Sequence, residues 1–271
     1  QDSILTTNCG DAGMLPVGIF AYQIQRDDGL KVDVVLKNKP QTDAIAQLLR
    51  AVAAGCSPAI LQHLERLLPQ LEFSLARERE TEIIQHAAPA ITRHSPTLYG
   101  LYQDDAHRII IEERLQDVLM LNSFSQGVRW QAEHINAALA GIAHLHAHWY
   151  RQPEAVTATF RHLVVPDAQA IARMVPLWQE TAEFMRREHP ELFPDELLQD
   201  WLTSLETSAE RWREMTSMPR TLVHNYFSPR NIAPRCGYMR PCCWDWELAT
   251  LHIPQRDPAE LPTYTLPVTS L

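Results

Sequence analysis

The chain contains no run of basic residues, no apolar stretch near bilayer length, no C-x-x-C pair, no internal repeat and no low-complexity segment. Each absence excludes a class of function. With 33 acidic against 24 basic residues and a net charge of −9, it carries no electrostatic footprint for nucleic acid or for an anionic membrane surface. A membrane span needs about 20 consecutive apolar residues, and neither such a run nor a signal peptide opens or interrupts the sequence. The cysteines, Cys9, Cys56, Cys236, Cys242 and Cys243, form neither a metal-type spacing nor an even disulfide framework. A reducing, cytoplasmic setting is therefore expected, and the adjacent Cys242 and Cys243 read as apolar strand residues rather than redox partners.

What is present suits a globular protein. Its 271 residues are 45% hydrophobic and 21% charged, enough for one large domain or two lobes with a sizeable core. An acidic surface favours a cationic small molecule over an anionic one. Gln rather than Met at position 1 leads us to expect a piece excised from a longer chain, with other domains of that parent as partners.

Residues 14–25 and 30–37 are rich in β-branched and aromatic residues around an Asp27-Asp28-Gly29 turn, which predicts an antiparallel hairpin. Helical spacing over 41–71, interrupted near Gly55 to Pro58, predicts two short helices, and 73–88 another. Two further strands are expected over 96–102 and 108–112. From about residue 118 the pattern turns helical: 130–149, 168–186 and 195–215. The strand-like T-L-V-H and C-C-W-D-W segments follow, with Cys236-Gly237 in the turn between them. The expected architecture is α+β, with a strand-rich N-terminal lobe over 1–117, a connector near 113–118 and a larger helical lobe over 118–271.

Several residues carry chemistry. Lys37 ends the V-V-L-K strand, where a compact ammonium can neutralise phosphates; Lys39 is an equally basic neighbour. The helix after it bears Glu78, Glu80 and Glu82, any of which could pair with a strand lysine. The N-C-G-D-A-G segment at 8–13 can turn tightly enough to offer backbone N–H groups to an anion. Ile109 to Leu115 is an apolar strand entering a polar connector, whose free backbone groups, at Glu113 and Leu115, can pair with a purine edge. His224, Asn231 and Asp245 stand on two late loops, and an amide with a carboxylate is a common protein share of a Mg²⁺ shell. His144, His146 and His148 share one helix, but no third ligand stands at a telling spacing, so packing is favoured over zinc.

Together these residues resemble the aminoglycoside phosphotransferase and choline kinase group, small-molecule kinases with a protein-kinase-like fold. The family's L-x-H-x-D-x-x-x-x-N loop is matched by L-V-H-N-Y-F-S-P-R-N at 222–231, except at Tyr226. Its D-W-E segment is matched by Asp245 to Glu247, its helix ending L-H-A-x-W by Leu145 to Trp149, and its R-D-x-A-E-L stretch by Arg256 to Leu261. The resemblance covers nearly the whole chain and implies a bilobal fold with ATP between the lobes.

By that resemblance Lys37, held by Glu80, contacts phosphates, the connector at Glu113 and Leu115 pairs with adenine, and Asn231 with Asp245 binds Mg²⁺. His224 braces the loop. Tyr226 occupies the position of the family's catalytic Asp. A phenol titrates near about 10 and is protonated at neutral pH, and loss of a general base costs about 10²–10⁴-fold. Phosphoryl transfer nevertheless depends mainly on positioning and metal electrostatics. Two expectations follow: a slow phosphotransferase acting on a small hydroxylated, cationic molecule, or a nucleotide-binding pseudokinase with a regulatory or scaffolding role. Relatives continue beyond the R-D-x-A-E-L stretch with helices that help form the acceptor pocket, so here that pocket is expected to be incomplete or supplied by another segment.

Overall fold

The computed structural model of the chain describes residues 17–105, 107–119, 130–237 and 239–265. The glycine-bearing segment at 8–13 and Cys9 lie outside these residues. Two compact units are formed, each from segments distant in sequence. The first gathers Gln1–Gln41, Ala76–Leu163 and Arg220–Leu271, as far as these are described; the second gathers Thr42–Leu75 and Val164–Pro219.

In the first unit, β1 (Gly18–Gln25) and β2 (Lys31–Asn38) form the expected hairpin. Gly29 takes φ +81°, and the Asp28 carboxylate accepts from Leu30 N–H, the local bonding that favours Asp and Gly in such turns. After α3 (Ala76–Gln85) and a single turn, α4 (Pro89–Thr92), come β3 (Leu98–Gln103) and β4 (Arg108–Glu113). The four strands make one antiparallel sheet in the order β1-β2-β4-β3, with β2 and β4 central. The α+β class read from the sequence is the class observed.

The rest of this unit packs on α5 (Ala132–Trp149), followed by α6 (Pro153–Thr159). Ala138, Ile142 and Leu145 are buried on one face of α5. Gly141 lies on that face for steric reasons: a Cβ there would come 2.1 Å from the ring Cγ of Pro241. The three helix histidines do not converge, since His146 is buried while His144 and His148 are exposed.

In the second unit, α1 (Thr42–Cys56) and α2 (Pro58–Leu67) are separated at Ser57, whose hydroxyl caps α2 by accepting from Ala59 and Ile60 N–H. They pack with α7 (Ala168–Glu188), which buries Ile171 and Met174 against Leu67. The single helix expected over 195–215 is two, α8 (Asp195–Glu206) and α9 (Ser208–Ser217). The break falls at Thr207-Ser208, where the Ser208 hydroxyl bonds to Leu205 O, the local competition that makes such residues poor inside a helix.

The late strands depart from the expected pairing. β5 (Thr221–Val223) pairs with β8 (Thr250–His252), while β6 (Ile232–Pro234) pairs with β7 (Pro241–Cys243). Cys236-Gly237, with Gly237 at φ +89°, therefore turns β6 into β7 and not T-L-V-H into C-C-W. Strands of three residues carry no readable alternation, so only long-range contact chooses their partners. α10 (Arg256–Thr265) is the last described element of this unit.

Candidate functional site

All the residues of the site lie in the first unit. Lys37 lies in β2 and Lys39 one residue past its end, where the two-residue spacing still sends both to the same side. Both reach Glu80 of α3, which is 1% exposed. Lys37 Nζ is 3.5 Å from Glu80 Oε1 and 2.8 Å from Glu112 Oε1 of β4. Lys39 Nζ is 2.6 Å from Glu80 Oε2, 2.6 Å from Glu247 Oε2 and 3.5 Å from Asp245 Oδ1. One buried glutamate thus joins two lysines, and through Lys39 it meets the D-W-E segment.

Carboxylates outnumber the ammonium groups they pair with, and the electrostatics reflect it. Burial pushes the Glu80 carboxyl up, but Lys39 and then Lys37 more than offset this and bring it down to about 2. Burial pushes the Glu112, Asp245 and Glu247 carboxyls up too, and there it prevails over the lysines. Both lysines are pulled the other way: despite burial, Glu80 and the other carboxylates raise them above the ordinary lysine range.

Polar bolts hold α3 in place. Arg79, with no exposed surface, donates from its guanidinium to Glu247 O at 2.6 Å and to His162 O at 3.1 Å. The Glu82 carboxylate accepts from the N–H groups of Arg161 and His162, both at 2.9 Å. Of the three helix glutamates, Glu80 faces the lysines and Glu82 the 161–162 segment, while the Glu78 carboxylate pairs with Arg77.

The loop between β5 and β6 carries His224, Tyr226 and Asn231. It is built around Asp257, a fully buried carboxylate at the start of α10. Asp257 accepts from the backbone N–H of His224 and of Asn225, each at 2.8 Å, and from His146 Nε2 at 2.8 Å. A carboxylate can only accept here, so the His146 ring must donate. Burial pushes the Asp257 carboxyl up, and the hydrogen bond from His146 leads the groups that bring it below the ordinary range. Asn225 takes φ +62°, and its side chain donates to Leu248 O and accepts from Arg256 Nε. That turn aims the backbone onward to Tyr226, whose carbonyl accepts from Ser228 N–H and from Asn231 Nδ2. Tyr226 itself is half-buried.

His224 is fully buried, donates from Nε2 to Trp244 O at 2.9 Å, and packs against the Trp246 ring. Burial keeps its imidazole below the ordinary histidine range, which suits a brace between two loops. Asn231 and Asp245 flank the β6–β7 pair: Asn231 precedes Ile232, which pairs with Cys243, and Trp244 N–H donates to Asn231 O at 3.1 Å. Asp245 follows in the left-handed region, at φ +66°.

Ligand-type oxygens of Glu80, Asp245 and Glu247 lie within 4.8 Å of one another. An all-oxygen set of this kind fits a hard divalent cation such as Mg²⁺; the Asn231 side chain, at the end of the same strand pair, is bonded through Nδ2 to Tyr226 O. Beyond Glu80, Glu112 and Asp245 opens a cavity of about 420 Å³, walled by Ile84, Leu98 and Trp246. Lys37, Glu113 and Leu115 are not among its lining residues.

The connector is anchored from below. The Arg235 fork donates to both Glu113 carboxylate oxygens, at 3.0 and 2.8 Å, and to Asp117 Oδ1 at 2.6 Å. That hydrogen bonding, led by Arg235, brings the Glu113 carboxyl down to about 2. Glu113 N–H donates to Thr97 O and Arg114 N–H to Asp33 O, so these two backbone donors are engaged within the protein. Leu115 is half-buried just beyond them.

The pairing of Lys39 with Glu80, Asp245 and Glu247, the roles of Arg79 and Arg235, and the anchoring role of Asp257 did not emerge from the sequence. Lys39 is spaced two residues from Lys37, so its side was readable, but not its burial. Arg235 and Asp257 act on partners more than thirty residues away in sequence, and no local pattern announces them.

Neither the family models nor the curated proteins give a match to this chain. Among solved structures the chain is similar to "Crystal structure of aminoglycoside-3'-phosphotransferase of type VIII", with 12% identity and a TM-score of 0.44, over 94% of this chain and 75% of that one. Overlap at that level leaves any functional reading to the residues themselves.

Proposed function

We propose that this chain is a kinase-like, phosphotransferase-related protein that binds Mg-ATP and transfers phosphate to a small-molecule hydroxyl slowly or not at all. The observation that carries the reading is the meeting of three distant segments in one charged cluster: Lys37 of β2 with Lys39 just past it, Glu80 of α3, and Asp245 with Glu247. Phosphate handling calls for this combination of fixed ammonium groups beside a hard-cation donor set. In this reading Lys37 faces the phosphates, and the 113–115 connector meets the purine, with Leu115 its remaining backbone donor. Asp245 with Asn231 holds Mg²⁺, which when bound neutralises and orients phosphate oxygens. His224 and Asp257 keep the loop that presents Tyr226 in one conformation. In this reading Tyr226 takes the place of the family's catalytic Asp, so the loop offers no carboxylate base to an acceptor hydroxyl.

Calorimetry with Mg-ATP and product assays against an aminoglycoside, choline and sugar-alcohol panel test the proposal. Wild-type protein is expected to bind Mg-ATP and to turn over at least about 10²-fold more slowly than Tyr226→Asp. Absence of Mg-ATP binding would sink it. A nucleotide-binding pseudokinase is the second reading, favoured by the half-buried tyrosine in the base position. It predicts binding with no wild-type product at all, and any wild-type turnover would overturn it.

A further inference from the structure

The two lysines that share Glu80 are not equivalent. Lys37 lies inside β2, paired across to Ile19 and Ile110, and its nearest carboxylate is Glu112 at 2.8 Å. Lys39 lies one residue past the end of β2, in a segment without regular structure. It reaches all three members of the carboxylate triad: Glu80 and Glu247 at 2.6 Å each, and Asp245 at 3.5 Å. Its ammonium nitrogen therefore occupies the space between the oxygens that would ligate a cation. The Glu80 Oε2 atom, buried and 2.6 Å from that nitrogen, has no directed hydrogen bond. Lys39 also donates to Glu247 Oε2, and Lys37 Nζ likewise has no directed hydrogen bond, so both lysines are held to Glu80 by charge, a demand that a metal ion would also satisfy.

We propose that Lys39 is a tethered counter-cation of the Glu80–Asp245–Glu247 triad, and that a divalent cation enters only by displacing it. The inference rests on the metal-binding part of the reading above, with Glu80 and Glu247 joining Asp245 as the cation's ligands. An ammonium and a dication cannot share so small a space, because their repulsion at a few Å in a partly buried site is large. Mg²⁺ also demands oxygens at about 2.0–2.1 Å, closer than Lys39 lets them approach. The flexible four-carbon stem allows the Lys39 ammonium to swing out while its backbone N–H stays bonded to Arg108 O of β4 at 2.9 Å. Once displaced, Lys39 becomes a free cation beside the metal, where an anion arriving with that metal neutralises it. The triad would thus take up a divalent cation poorly alone and well in company with a polyphosphate.

Titration with Mn²⁺ alone, followed by calorimetry and electron paramagnetic resonance, tests the displacement. Lys39→Met is expected to bind Mn²⁺ on the order of tenfold or more tightly than wild type, Lys39→Arg to bind like wild type, and Lys37→Met to gain less. A folded Lys39→Met protein with wild-type Mn²⁺ affinity would overturn the proposal, as would an equal gain in Lys37→Met. Should Lys39→Met fail to fold, ¹⁵Nζ resonances of the wild-type lysines decide: the Lys39 signal should move on Mg²⁺ saturation, and a static signal sinks the idea. Mg-ATP binding by wild type separates the two claims. Nucleotide binding with unaltered Mn²⁺ affinities removes only the displacement, whereas a Lys39→Met gain without nucleotide binding removes only the phosphotransferase reading.

Discussion

Two buried carboxylates, Asp257 and Glu80, anchor the two halves of the candidate site in opposite ways. Asp257 is met by three donors at 2.8 Å, two of them backbone N–H groups. Glu80 is met by two side-chain ammonium groups and no backbone donor, in a cluster where carboxylates predominate. The first is a closed hydrogen-bond network of the kind that holds a loop in one shape. The second is a charge cluster open to rearrangement, and an incoming cation would relieve it. The contrast locates rigidity at the β5–β6 loop and responsiveness at the lysine–carboxylate cluster.

Breaking the closed network should give the largest effect. Asp257→Ala strands two buried backbone donors and the His146 ring, and is expected to cost about 3–5 kcal/mol in urea unfolding. Gly141→Ala strikes the scaffold beneath the same loop, since the new Cβ would meet the Pro241 ring. Overpacking of that kind costs about 1–3 kcal/mol, measurable by thermal or urea denaturation.

The connector gives a pH signature. Glu113 has its folded value lowered from 4.5 to about 2, so it binds its proton more readily in the unfolded chain. Its contribution to stability is therefore complete above about pH 4.5 and is lost as the pH falls toward about 2. Urea unfolding repeated between those limits should show the loss, and Glu113→Gln should flatten that part of the profile. The smallest effect is expected in the open cluster. Glu112→Gln removes one charge where carboxylates are in surplus, and should change stability by under about 1 kcal/mol by the same assay. A loss as large as that of Asp257→Ala would mean that both networks are closed.

Much of this organisation was legible in the residues. Alternation and turn chemistry around Asp28-Gly29 specified the first hairpin, and the apolar face of 130–149 specified α5. The L-V-H-N-Y-F-S-P-R-N and D-W-E segments pointed to two loops, and Asn231 and Asp245 do flank a single strand pair. Burial of Lys39 was not legible, because a lysine just past a strand end is ordinarily solvated, and only Glu80 and the D-W-E acids make its burial tolerable. Nor was the pairing of β5 with β8, since three residues hold too little pattern to name a partner.

Local chemistry therefore determined the helices, the hairpin and the identity of the charged residues, because propensity, capping and periodicity act over a few neighbouring residues. Tertiary structure decided which charges meet: that Glu80 serves two lysines, that Arg235 grips Glu113, and that Asp257 holds the loop bearing Tyr226. Electrostatic pairing and desolvation depend on distance in space, and these partners stand tens of residues or more apart along the chain.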